Sequence, residues 1–327
     1  MALINEAIAT GNCEVKAYSK VFHLETNGKG KVIKAHFHDP EKNAYSVEAN
    51  IFVVAAQAIE TSRLLLLSKN KDFANGLANN HQQVGKNLIF SGGGVGSGDF
   101  YAEDFSEQEF NKLSTPGVFV NRTVQQWYEI DDESLGGKAK GGGFDFLFEH
   151  ANGIGKAYRQ QWNDQGNFIY GSPYKKKLFR YFTKVRKLNF EVFNDWLPND
   201  NCFVEIDQLV KDRWGIPVSK LRIENHPQDV KVGNYLAQRA ENVLRQMGAH
   251  NVSSNINGDP PTNLQAGGCR FGNDPRTSVL DSNCKAHGVE NLYVTDGSFM
   301  PTGGSVPYTF TIYANSFRVA EKILERL

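Results

Sequence analysis

The chain has 327 residues and 36.5 kDa, room for one large domain or two ordinary ones. Its 36 Lys and Arg balance 36 Asp and Glu, which argues against a nucleic-acid-binding protein, since phosphate contacts need an excess of positive charge. Hydrophobic residues at 40% and aromatics at 12% exclude a disordered chain, and no apolar run approaches the roughly 20 residues of a bilayer span.

The start, Met1 to Ala9, carries an early acid and no basic region, so it offers no secretory signal. The cytoplasm is the default compartment, the periplasm the alternative if the chain travels with an exported partner. Cys13, Cys202, Cys269 and Cys284 are widely spread, with no spacing suited to zinc or a disulfide scaffold.

In chain order, Ala2–Thr10 reads as a short helix. Glu14–Glu25 and Val32–His38 read as strands about the Asn27-Gly28-Lys29-Gly30 turn, and Tyr45–Ala55 continues the pattern. His36 and His38 share one strand face; exposed histidines are the plain reading and no metal is expected. Ile51–Ala56 is a continuous apolar run, as in a strand buried on both faces, and it enters a helix over Ile59–Ser68. Strand, tight connection and helix make one unit of a doubly wound sheet.

From residue 91 to 255 aromatics interleave with glycine. The glycine clusters near 92–98 and 136–143 suggest tight turns or backbone approaching a ligand. Phe144–Phe148 and Phe190–Phe193 alternate as half-buried strands do, Cys202–Asp207 and Val218–Glu224 flank a loop, and Val230–Met247 has helical spacing closed by Gly248. Residues 256–327 return to an α/β pattern. There Asn291–Ser298 is a strand ending in Asp-Gly, and Thr309–Leu327 a helix with Ile312, Ala314, Phe317, Ala320, Ile323 and Leu324 as core candidates. The organisation is therefore α/β plus α+β, with ends at 1–90 and 256–327 around an inserted antiparallel-sheet substrate domain at 91–255.

No G-x-G-x-x-G, phosphate-binding loop, G-x-S-x-G or H-E-x-x-H is present. Longer segments say more. Ala55–Ser68 resembles the "AAGAxExPRLLLxS" segment of the glucose-methanol-choline (GMC) oxidoreductases, and Val84–Leu88 their "VGxNL". Gly267–Pro275, Thr277–Asp281, His287–Ser298 and Pro301-Thr302 are similar to the family's C-terminal block, in the same order. The resemblance covers about the last three-fifths of a member and starts after the N-terminal Rossmann segment with its G-x-G-x-x-G.

The resemblance implies a subunit or fragment of an FAD-dependent enzyme that oxidises CH–OH groups of a sugar or polyol, passing electrons to oxygen, a quinone or a haem protein. It implies Val21, Ala55, Ala56, Asp296, Gly297, Tyr308 and Thr309 as cofactor contacts. A separate chain carrying the Rossmann segment is the implied partner, making a split hetero-oligomer. Two departures stand out. The family's catalytic His falls on Leu264, and its second His or Asn on Pro307 or Tyr308, so Asn263, Gln265 and Tyr308 are the remaining polar candidates. Leu and Pro cannot take a proton. The alternative is a catalytically degenerate half serving binding or assembly. Gln57 also replaces the glycine expected after Ala55-Ala56.

Overall fold

A computed structural model describes all residues except 1, 114–119, 150–151, 164, 257–263 and 327. After α1 (Ala2–Ala9), strands β1 (Lys20–Thr26), β2 (Val32–His38) and β3 (Ala44–Glu48) form an antiparallel meander. β4 (Phe52–Val54) runs into α2 (Ala58–Leu67), and β5 (Leu88–Ile89) follows. The second region contains β6 (Gly92–Tyr101), α3 (Glu107–Lys112), β7 (Val120–Val124), β8 (Glu129–Asp132), β9 (Gly137–Lys140), β10 (Gly142–Phe148), α4 (Gly153–Arg159), α5 (Gly171–Lys184) and β11 (Val185–Asn194). Then come β12 (Phe203–Lys211), β13 (Pro217–Arg222), α6 (Pro227–Gln246), β14 (His250–Asn255), β15 (Ala266–Gly267), β16 (Leu292–Val294) and α7 (Thr309–Leu324).

Two apolar cores result. The first gathers Leu24 and Val32 of the meander, Leu64 and Leu65 of α2, Leu88 and Ile89, and the 266–319 region. Its centre is a parallel pair, Leu292 to Val294 of β16 beside Phe52 to Val54 of β4, with α2 between them in sequence. Buried Asn291 ties the meander to this pair. Its side chain accepts from Val32 N–H at 2.9 Å and donates to the carbonyls of Val32 and Asn50 at 2.9 and 2.7 Å, so a costly buried amide is satisfied. The β12–β13 hairpin also packs here: Cys202 and Val204 are core residues, and Arg63 of α2 donates to Pro217 O at 2.8 Å and pairs with Asp212 at 2.8 Å.

The second core lies under a five-stranded antiparallel sheet ordered β14-β6-β11-β10-β7. Period-two alternation in β11 turns Leu188, Phe190 and Val192 to the same side as Phe100, Phe144 and Phe146, against Leu236, Ala240 and Leu244 of α6. Gly248, at φ 87°, closes α6 as its spacing predicts.

Four expectations change. Residues 14–19 are outside β1. The strand over 51–56 contracts to 52–54, and Val53 is half exposed, so one face is open. The 92–98 glycines lie in β6, not in a turn, because neighbouring chain occupies the space a side chain needs: a Cβ on Gly96 would stand 2.1 Å from the Phe190 ring. In α7, Ile312, Ile323 and Val319 meet the core, but Phe317, Leu324, Ala314 and Ala320 face outward.

Candidate active site

Asp296 stands two residues past β16, where the parallel pair ends. One carboxylate oxygen accepts from Ser298 N–H at 2.8 Å; the other accepts from Gln57 N–H at 3.1 Å and from the Thr61 hydroxyl in a shorter bond. Asp296 is 8% exposed, and its carboxylate oxygens are bonded to groups of its own chain. It binds the end of β16 to the turn between β4 and α2. Below it, burial pushes the Cys269 thiol up to about 12, with the Asp296 charge adding to the rise, so this cysteine remains protonated.

Gln57 is the pivot of that turn. It sits at φ 76°, ψ 153°, which glycine adopts freely and other residues rarely. Its side-chain oxygen caps α2 by accepting from Ile59 N–H at 2.9 Å, and its amide donates to Gln265 Oε1 at 2.8 Å. Sequence reasoning missed the part played by Gln57 and Thr61. The available signal was a hydroxyl one turn into a helix that begins right after a strand.

Gln265 and Tyr308 come together, because the Tyr308 phenol donates to the carbonyl of Leu264. The phenol is thus engaged by Leu264 and the Gln265 amide oxygen by Gln57, and burial raises the Tyr308 pKa, so the phenol keeps its proton at neutral pH. Leu264 itself holds φ 58°. Asn263 lies outside the described residues. Gly297 is buried with its α-carbon against Gln265 O, where an added Cβ would be 3.2 Å away.

The other implied contacts line open surface. Val21 and Ala56 share a groove of about 280 Å³, with the Lys20–Glu60 ion pair at 2.7 Å on its wall. Burial pushes Glu60 up, but Lys20 and Arg63 outweigh it and hold the carboxyl below its ordinary range. Ala55, Ala56 and Gln57 are exposed at the end of β4. A larger cleft of about 740 Å³ is lined by Phe271, Met300, Thr302, Tyr308, Thr311 and Arg318 among others. α7 starts at its edge with Thr309 exposed, and Tyr308 at the N-cap makes no side-chain cap bond, so among the described residues the first-turn N–H groups are not capped by it. The loop 301–308 above this start is fixed by Asp195, which accepts from Gly304 N–H at 2.8 Å and pairs with Lys140 at 3.3 Å. His36 pairs with Glu25 at 2.7 Å and His38 stacks on Phe22; among the described residues no group of acids, His and Cys could hold a metal.

Residues 198–316 match the family model described as GMC oxidoreductase. Over these residues the chain is similar to the C-terminal domain of the GMC oxidoreductases. Relatives extend the match over nearly the whole length: 2-methyl-1,2-propanediol dehydrogenase of Mycolicibacterium austroafricanum is 29% identical over 98% of this chain and 56% of its own. The fructose dehydrogenase large subunit of Gluconobacter japonicus is 28% identical over 94% and 53%. The chain thus spans little more than half of these GMC relatives. Among solved structures, Aspergillus oryzae formate oxidase superposes with TM-score 0.63 at 15% identity, over 94% of this chain and 60% of that one. A pyridoxine 4-oxidase gives 0.57 at 15%, over 93% and 57%. The mixed α/β fold with an antiparallel sheet is therefore the GMC fold.

Proposed function

We propose that this chain forms one wall of an FAD pocket in an oxidoreductase acting on CH–OH groups of an alcohol, polyol or sugar. The observation that carries the reading is the start of α7, which opens on the cleft of about 740 Å³ while the next turns of the helix meet the end of β16 through the Ser316 hydroxyl and the Thr295 carbonyl. Ligands of open α/β sheets lie at the carboxyl ends of strands, and a helix start attracts an electron-rich group. The residues present suit the group. Exposed backbone at Ala55–Gln57 permits close approach, and the groove shared by Val21 and Ala56 is apolar enough for a flat ring. Asp296, filled by its own chain, holds the two strand ends together rather than gripping a ligand hydroxyl. When bound, FAD supplies a two-electron acceptor for hydride. This chain's part is to orient it, favour negative charge at the α7 start and exclude water through the 301–308 loop.

Relatives named for a diol and for fructose support the substrate class. The reading includes a complementary segment with the nucleotide-binding strands, supplied as a separate partner chain in a hetero-oligomer. Co-purification with that segment should give a yellow complex bleached by an alcohol or sugar under anaerobic conditions. A colourless complex after mild purification would overturn it.

A second reading, a catalytically idle half kept for assembly, is favoured by one observation. Leu264 and Pro307 stand where a base is expected, and Tyr308 and Gln265 are engaged elsewhere. Substrate turnover by the flavin-loaded complex with a dye acceptor would exclude it.

A further inference from the structure

The chain's charges cancel overall but are not evenly spread. Residues 153–184 hold seven Lys or Arg against one acid, Asp164, and two of the seven pair with acids outside the stretch, Lys156 with Glu149 at 3.2 Å and Arg180 with Glu103 at 2.6 Å. This stretch forms α4, a connecting segment and α5, which fold against each other: the Tyr174 hydroxyl donates to Ala157 O at 3.0 Å, and the Lys177 ammonium to Trp162 O. Tyr181, bonded to Glu149 at 2.7 Å, fixes α5 on its inner side. No residue of α4 or α5 is fully buried. Ile154, Tyr170 and Phe179 are 87%, 76% and 70% exposed, and rings run in contact from Tyr158 through Trp162 and Phe168 to Tyr170. On α5, Lys175 and Lys176 lie one turn before Phe179, and among the described residues they form no ion pair.

We infer that the α4–α5 hairpin is a peripheral docking surface for an anionic lipid bilayer. Basic residues flanking exposed aromatic and aliphatic tips are what binding in the headgroup region requires: the cations are drawn to the surface potential, and the rings sit at the boundary. The tips come from three pieces of chain, α4, the connecting segment and α5. A fluid surface takes up exposed tips beside unpaired cations without a shaped pocket, whereas a protein partner concentrates its energy on a few residues in well-packed pockets. No helix among the described residues is long and apolar enough to cross a membrane, so the contact is one of lying on, not spanning. The inference is independent of the flavin reading.

The test is flotation of the 327-residue chain with phosphatidylcholine vesicles, with and without phosphatidylglycerol, at about 0.1 and 0.5 M salt. The chain should float with the anionic vesicles at low salt and largely stay behind with neutral ones. K175A/K176A should lower partitioning by roughly tenfold or more. Y170A/F179A should weaken it at both salt levels. These side chains are exposed, so both double variants should melt like the parent, and circular dichroism checks it. Equal binding to neutral vesicles, flotation unchanged in both variants, or capture of an acidic protein or nucleic acid by the hairpin without vesicle binding would each overturn the inference.

Discussion

Gln57 combines a cost and two gains in a single side chain. Its φ of 76° is strained for a residue with a Cβ, by on the order of 1 kcal/mol, while its cap on α2 returns a similar amount and its amide reaches Gln265. Gln57→Gly removes strain and cap together, so its unfolding free energy should stay within about 1 kcal/mol of the parent. Gln57→Ala keeps the strain without the cap and should lose about 1–2 kcal/mol, read as a lower urea midpoint. The resemblance marks this position as a glycine site, but not that a glutamine can hold the same backbone by capping the next helix. Asp229 is a second residue-scale case. Burial pushes its carboxyl up to about 7 despite the bond from Leu197 N–H, and the nearby Asp195 charge adds to the rise. An acid whose folded pKa exceeds its unfolded value keeps a proton that the unfolded chain has released. Stability therefore falls as pH rises from its ordinary 3.8 to about 7, and then levels. Asp229→Asn should flatten that fall and gain roughly 2–4 kcal/mol over the parent above neutrality. Urea unfolding across this range checks the sign; parallel curves would refute it.

Elements are legible where side chains carry the period. β10, β11 and α6 announce themselves through aromatic alternation and helical spacing. β6 does not, because in Gly92–Gly98 few side chains remain to alternate. The missing volume is supplied across the sheet by the Phe190 ring of β11, a long-range fact no local window contains. Gly96→Ala forces a methyl to within 2.1 Å of that ring, and Phe190 is wholly buried, so neither side can yield cheaply. The variant should lose about 1–3 kcal/mol, seen as a drop in the thermal midpoint, whereas Gly153→Ala, with open space around it, should change it far less. α7 resists reading for the opposite reason. It is apolar on more than one side, and period alone does not say which side this chain covers. Asn315 and Ser316 decide it, through the Cys284 thiol and the Thr295 carbonyl on the inner face.

At the scale of the molecule, the outer face of α7 asks for a cover. Phe310 at 85% and Phe317 at 60% exposed, with Tyr313 and Leu324, form a stripe down the helix, and Val53 opens on the exposed side of β4. Stripes of this kind mark surfaces that bury against something else. The curated relatives are nearly twice as long as the aligned part of this chain, which supplies a natural candidate in the complementary segment proposed above. Burying one phenylalanine contributes about 1.5–3 kcal/mol, so F310S/F317S should weaken association with that segment by roughly a hundredfold or more. Both side chains are already in water, so the double variant should fold as the parent does and stay in solution at higher concentration when alone. Titration calorimetry with the complementary segment measures the first effect and light scattering the second. Unaltered affinity would mean that the stripe is covered by something other than the segment that completes the flavin pocket.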